Sequence, residues 1–488
     1  MEADPQADEA AAGGTLHGRR LTMRGRVLLV LPLILGAAAP ASDFRSTASA
    51  LRDDALKGTR AFEIVRSLTT EVGPRSAGSA GDPRAVEWGV RTLKALGFQN
   101  VRAEKVTVPH WDRGAESGEI VSPWPQPVHL AALGGSVGTP EGGIETEVVQ
   151  VPDVESLEKT DPVLAGRVKG KIVFIDKRME RRKDGSGYGE TVVGRSRGAA
   201  VAGKLGAAAV LIRSVGTDNN RTPHTGGTRY EEGGPKIPTA ALSNPDADLL
   251  ENQLASGKPV VFRLKLGARL LGDAGSANVI GEIPGREKPD EVVLLGCHLD
   301  SWDLGTGAID DGAGCAIMME AARRIGELKQ RPRRTIRVVL FANEEFGLSG
   351  ARGYAEAHAG ELPKHVLAGE SDFGSGKVFR ISSRVAPETL AAFEAIAELL
   401  APLGVERGDN EAGGGADLSP MVPARVPVAG LSQDGTYYFD WHHTANDTLD
   451  KIDPRDLDQN VAAWAAVAYG AAEMQGDFGR APEPKGVE

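Results

Sequence analysis

The sequence predicts an α/β protein: a mixed, mostly parallel sheet covered by helices on both faces, interrupted by an inserted β-rich domain. Three observations carry this. After Ala277 strand-like runs alternate with helix-length amphipathic segments, the pattern of a sheet covered on both sides. Residues 130–268 differ in texture, with short β-rich runs such as Lys171–Ile175 and Ala208–Ile212 set among Gly, Pro and Asp clusters. The 488 residues suffice for more than one domain with a real core.

Taken in order, residues 27–39 form a short apolar run behind Arg24 and Arg26, followed by Ala39-Pro40-Ala41, the small-x-small pattern of a secretory signal. Residues 1–41 are read as leader and signal peptide, with Met23 as an alternative start because Glu2, Asp4, Asp8 and Glu9 do not suit a positive n-region. The competing reading is an uncleaved membrane anchor, which the shortness of the run disfavours. The expected location is secreted or periplasmic, with no stable membrane insertion after cleavage. Residues 42–60 are read as a linker or propeptide-like segment. Asp82 as N-cap and Pro83 at the first helical position predict a helix through Leu96, stopped by Gly97. A strand follows over Phe98–Val108. Residues 61–129 and 269–475 are assigned to the main domain, 130–268 to the insert, and 476–488 to a disordered tail. Inside the insert, the polar loop 216–236 is long enough to suspect function, with disorder as an equal alternative.

The strands expected in the second half are Val292–Gly296, Thr335–Ala342, Val366–Gly369 and Val426–Leu431, with helices near 312–329, 349–358, 387–401 and 454–474. Ile317, Ala321, Ile325 and Leu328 place one apolar face on the first of these helices. Composition narrows the function. The net charge of −11, with no basic block, argues against nucleic acid as a partner, and two cysteines are too few for a disulfide framework or a Cys-rich zinc site. Cys297 and Cys315 are expected to be buried rather than reactive.

Ligands of α/β sheets bind beyond the carboxyl ends of the strands. The first strand ends into Cys297-His298-Leu299-Asp300, the next turn brings Asp310-Asp311-Gly312, and the second strand ends into Asn343-Glu344-Glu345. The third ends into Glu370-Ser371-Asp372, and the loop beyond the fourth holds Asp440-Trp441-His442-His443. Converging carboxylates and imidazoles with no basic residue in these motifs call for cations. The donor types favour Zn²⁺ or a similar ion such as Mn²⁺ or Co²⁺, and suit two metals sharing a carboxylate. Asp300, two residues after His298, is positioned to accept that histidine's other ring N–H. Glu344 and Glu345 alternate if extended, so one is free to bind metal while the other acts as base. The bland alternatives are a capped helix start at Asp310-Asp311 and a solvated turn at the two glutamates. His442 is read as a packing neighbour of His443. His110, His358 and His365 are read as surface or loop residues, and so is His224, although it could reach substrate.

Together with Ser301-Trp302-Asp303, Gly307-Ala308-Ile309 and Asp447-Thr448, these motifs resemble the dizinc exopeptidase family that includes bacterial leucyl aminopeptidase and glutamate carboxypeptidase, most closely its plasma glutamate carboxypeptidase branch. The resemblance covers roughly residues 60–475. It implies two Zn²⁺ per chain, with His298 and Asp372 on one, Glu345 and His443 on the other, and Asp310 bridging. It further implies Glu344 as general base, Asp300 orienting His298, and a protease-associated domain as the insert. The implied activity is hydrolysis of dipeptides or short peptides, of carboxypeptidase or dipeptidase type, with an aminopeptidase as the alternative. A non-catalytic receptor on the same scaffold is disfavoured by the complete ligand set, and a single-zinc cyclase by the insert. Homodimerisation stays open.

Overall fold

The computed structural model describes residues 44–159 and 161–484; the leader lies outside the described residues, as do the last four. The main sheet has eight strands: β1 (Gln99–Asp112), β2 (Arg269–Ile283), β3 (Lys288–His298), β4 (Arg334–Phe341), β5 (His365–Glu370), β6 (Val378–Arg384), β7 (Glu406–Arg407) and β8 (Val428–Gln433). Their order is β1-β2-β4-β3-β5-β8-β6-β7. The central strands β4, β3, β5 and β8 run parallel, and β1, β2 and β6 pair antiparallel toward the edges.

Side-chain alternation splits the core between the two faces. Val293, Leu295 and Cys297 of β3 point to one layer, with Ile336, Val338 and Leu340 of β4. Val292, Leu294, Val339 and Phe341 point to the other. The first layer packs under helices α1 (Phe44–Ala55), α2 (Ala61–Glu71), α3 (Gly81–Ala95), α5 (Ala313–Gly326) and α8 (Pro454–Glu473); α4 (Ser186–Lys204) belongs to the insert. The second layer is covered by α6 (Ser349–Ala357), whose Ala351 and Tyr354 are buried. The α/β/α sandwich with an insert is therefore as expected from sequence.

Several local expectations are corrected. Residues 44–55 are no linker: Ala48, Leu51 and Ala55 bury one stripe of α1, which packs on α8. The helix after Gly81 starts earlier than expected, and Asp82 does not cap it; its carboxylate accepts from Gly78 N at 2.7 Å and Ser276 Oγ at 2.6 Å. The tail is ordered through Ala481, because Phe478 is fully buried and its carbonyl accepts from Ala386 N. The helix near 387–401 is α-helical only as α7 (Leu390–Ala397), with 3₁₀ turns on both sides.

The insert leaves and rejoins the main sheet through one ribbon, since β1 and β2 pair as far as Asp112 opposite Arg269. Its own eight-stranded sheet takes in Glu116–Ser122 and Gln126–Val128, ahead of the boundary expected at 130. Trp302, from the loop after β3, is buried in the insert's apolar cluster, and a Cβ at Gly134 would lie 1.9 Å from its ring.

His358 and His365 are buried rather than on the surface. At the start of β5, His365 Nδ1 faces the Glu361 carbonyl at 3.1 Å and Nε2 the Tyr354 hydroxyl at 2.9 Å. That hydroxyl accepts from Arg337 at 2.9 Å, so it donates to a neutral imidazole. Burial pushes the His365 pKa down to about 4, against roughly 6.5 in an unfolded chain. Above the unfolded value this contribution to stability is complete; it is lost as pH falls from about 6.5 towards 4, by up to ~3 kcal/mol. Thermal melts of wild type and His365→Gln are expected to converge as pH drops through that window, and parallel curves would refute the assignment.

Candidate metal centre

Each motif at a strand end contributes to one buried cluster. His298 is the last residue of β3, Asp310 lies in the irregular turn before α5, and Asp372 follows β5. Glu344 and Glu345 follow β4, and His443 lies beyond β8. His298 Nε2 is 3.1 Å from Asp310 Oδ1 and 3.4 Å from Asp372 Oδ1. His443 Nε2 is 3.2 Å from Asp310 Oδ2 and 3.0 Å from Glu345 Oε2. Asp310 thus faces one imidazole with each oxygen.

The donor set fits metal ions. Ligands at the usual 2.0–2.1 Å from a tetrahedral zinc lie about 3.3 Å apart, which matches these separations. Asp310 Oδ2 and Glu345 Oε1 are buried without hydrogen-bond partners, a state that costs free energy unless a cation is shared. Burial lowers the His443 pKa, but the facing Glu345 and Asp310 carboxylates outweigh it and push the value up to about 10. For Asp310 burial acts upward, and His298 and His443 more than reverse it, so the carboxyl sits well below its ordinary range. The cluster attracts positive charge from whatever source supplies it.

Neighbouring groups fix the geometry. The Arg75 guanidinium, fully buried, donates to the carbonyls of Leu299, Thr306 and Gly307 at 2.5, 2.6 and 2.9 Å, tying down the segment between His298 and Asp310. Asp447 accepts from Ala308 N and Ile309 N, both at 2.7 Å. Asp311 accepts from His298 N at 3.1 Å and Gly314 N at 3.0 Å, so the helix-start reading holds for Asp311 while Asp310 turns to the histidines. The left-handed Asn343 (φ 59°) ends β4, and the two glutamates stand in a turn. The two residues are therefore not extended, and the strand alternation expected does not apply to them. Asp300 also differs: its backbone carbonyl, 3.1 Å from His298 Nδ1, lies closer than its carboxylate at 3.7 Å. The carboxylate instead accepts from Glu344 N and Glu345 N at 3.0 and 3.3 Å.

The 216–236 loop proves to be part of the site. His224 is fully buried, its Nδ1 2.7 Å from the His442 carbonyl and its Nε2 2.6 Å from Asp218. Thr225 N donates to the His443 carbonyl at 3.0 Å, and the Thr225 carbonyl lies 3.3 Å from His443 Nδ1. Accepting that ring N–H leaves Nε2 free for a cation. His442 stacks on His443 with ring centroids 3.5 Å apart, and its Nε2 also comes within 3.5 Å of Asp310 Oδ2. Burial holds its pKa well below the ordinary histidine value, so it packs as a neutral ring.

Sequence reading missed Arg75, Asp218 and Arg195. Isolated arginines and aspartates carry no local pattern, and their partners lie far off in sequence. Arg195, on α4, reaches from the insert to within 3.3 Å of His443 Nδ1. It lines a cleft of about 790 Å³ together with Arg229, Arg352, Glu344 and Phe346.

An α/β/α sheet with carboxylates and imidazoles converging at its strand ends, and a cleft large enough for a short peptide, defines a metallopeptidase. Comparison with known proteins agrees. The chain matches the peptidase family M28 description over residues 278–468 and that of a PA domain over 136–250. It is 36% identical over 436 residues to carboxypeptidase Q of Mus musculus, covering 89% of this chain and 90% of that protein. The crystal structure of a peptidase M28 precursor from Shewanella amazonensis superposes with a TM-score of 0.88 at 49% identity, covering 90% of this chain and 99% of that one. Aminopeptidase YwaD of Bacillus subtilis is 24% identical over 89% of this chain and 90% of its own length. The chain belongs to peptidase family M28. The resemblance read from the motifs is upheld, down to its branch, since plasma glutamate carboxypeptidase is another name for carboxypeptidase Q.

Proposed function

We propose that the chain is an exported, zinc-dependent exopeptidase that hydrolyses dipeptides or short peptides. The observation that carries this is the pair of carboxylate–imidazole constellations meeting at Asp310. His298 and Asp372 would hold one ion, Glu345 and His443 the other, with Asp310 shared. Bound there, the metals supply Lewis-acid polarisation of the scissile carbonyl and acidify the attacking water.

The remaining steps belong to the chain. Burial raises the Glu344 carboxyl well above its ordinary range, with Asp372, Glu345 and Asp300 adding to the rise against His298, and a carboxyl tuned upward holds a transferred proton more readily than a free one. Glu344 takes the proton of the attacking water and passes it to the leaving amine. Asp300 holds the backbone of the two glutamates, and Thr225 sets the tautomer of His443.

The cleft wall supports a substrate with a free carboxyl terminus. Arg195 has no carboxylate partner among the described residues, and its Nε is buried without a hydrogen bond. Arg229 and Arg352 are exposed beside it on the same cleft. A charged hydrogen bond contributes about 1.5–3 kcal/mol, so Arg195→Leu is expected to raise KM for an unblocked dipeptide roughly 10-fold or more while leaving its carboxyl-amidated analogue nearly unchanged. Equal losses on both substrates would assign Arg195 to support of His443 and favour the aminopeptidase reading.

Export rests on the apolar leader. No helix among the described residues is long and apolar enough to cross a membrane. Metal analysis of the purified chain, with turnover of blocked and unblocked dipeptides, tests the whole reading; an inactive chain with bound metal would favour a binding role.

A further inference from the structure

Cys297 and Cys315 are the only cysteines in the chain. They are 18 residues apart in sequence, one at the end of β3 and the other in the first turn of α5, and both are wholly buried. Their Sγ atoms lie 2.7 Å apart. Non-bonded heavy atoms of this size keep about 3.5 Å or more between them. Two thiolates on one zinc, at 2.3 Å each, would stand about 3.7 Å apart, so the separation is too short for an ion between them. Asp311, which lies beside the pair, is already engaged by His298 N and Gly314 N.

We propose that Cys297 and Cys315 are a redox pair that closes to an intramolecular disulfide beneath the metal centre. The oxidant is a small-molecule disulfide such as oxidised glutathione. One cysteine displaces a thiol from it to give a mixed disulfide; the second displaces the other thiol. The Sγ–Sγ bond forms, the oxidant's S–S bond breaks, and two electrons and two protons end on the released thiols. With two cysteines in the chain, the pairing has no intramolecular competitor.

The bond would close a loop that contains His298, Asp300, Asp310 and Asp311, four residues of the centre. In the thiol form Cys315 Sγ donates to the His298 carbonyl at 3.0 Å; the disulfide gives up that hydrogen bond and ties the same strand end to α5 covalently. A cross-link restricts the open states through which a ligand loop releases its ion. The oxidised form is therefore expected to lose metal more slowly than the reduced one. This consequence rests on the metal assignment proposed above, whereas formation of the bond does not.

Two measurements on the full chain separate them. Wild type is held with oxidised glutathione, or with a phosphine reductant, until its thiol count is constant, then denatured, alkylated with iodoacetamide and weighed by intact mass spectrometry. The oxidised sample is expected to carry no alkyl group and to be two hydrogens lighter than the unmodified dithiol chain; the reduced sample should carry two alkyl groups. Two alkyl groups in both samples, or a glutathione adduct persisting on one cysteine, would overturn the pair. Metal release to a chelator is then followed in both forms, with the Cys297→Ala/Cys315→Ala variant as control. Release at least threefold slower after oxidation, and redox-independent in the variant, is the expected result. Equal rates in a chain whose mass shows the disulfide would overturn its coupling to the centre and leave the bond itself intact.

Discussion

Glu344→Gln is expected to lower turnover of an unblocked dipeptide by at least about 10²-fold, the lower end of what general acid–base catalysis contributes, while metal content stays near wild type. Gln keeps the size of the side chain but cannot accept the water's proton. Glu345→Gln should do the reverse: its Oε2 is 3.0 Å from His443 Nε2, so the loss falls on the ion shared with that histidine, and excess zinc should restore part of the activity. Asp300 holds the backbone N–H of both glutamates, so either substitution leaves the turn anchored. Turnover and metal analysis after dialysis must be read together. Full turnover in Glu344→Gln, or metal loss there and not in Glu345→Gln, would mean that the two roles are exchanged.

What sequence made legible follows from where the information is local. The carboxylates and imidazoles at and beyond the strand ends are visible because alternation of apolar strands and amphipathic helices locates the carboxyl ends of a sheet; it is the family resemblance that singles out His298, Asp310, Glu345, Asp372 and His443 among them. The structure brings all five together. Residues 44–55 were passed over because α1 shows only a weak apolar stripe, made mostly of alanines, whose burial depends on a distant helix. The tail reads as disordered because Gly, Pro and charge dominate its composition, yet the burial of Phe478 and Ala481 and the pairing of Ala481 with Arg425 anchor it.

The loop 216–236 is the more instructive case. Its length suggests function and its polarity equally suggests disorder, and the structure spends His224 and Thr225 on the backbone of the histidine segment, at the His442 and His443 carbonyls. Nothing in the local pattern tells a polar loop that faces water from one that satisfies buried carbonyls. The two glutamates show a different limit. Their separation is expected from an extended strand, whereas the two stand in a turn after the left-handed Asn343, where that alternation does not apply.

The shared carboxylate offers the largest effect on metal binding. Asp310→Ala is expected to strip metal from the whole centre, whereas His298→Ala should chiefly weaken the ion held with Asp372. Loss of a group that merely orients a ligand costs about 10–100-fold in affinity, and Asp310 is read as a direct ligand of both ions. Its two oxygens face different histidines, at 3.1 and 3.2 Å, and no other carboxylate among the described residues pairs with both His298 and His443. Removing it also leaves His298 and His443 with fewer opposing charges, since both imidazoles owe part of their raised pKa to Asp310. Without it both imidazoles hold a proton less readily, so proton competition for the histidines does not account for the deficit. Elemental analysis after dialysis checks this, with circular dichroism to establish that the variant is folded. About two metals per chain in wild type, close to none in Asp310→Ala and an intermediate count in His298→Ala is the expected order. One metal per active wild-type chain, or equal retention in the two variants, would refute a carboxylate shared between two ions.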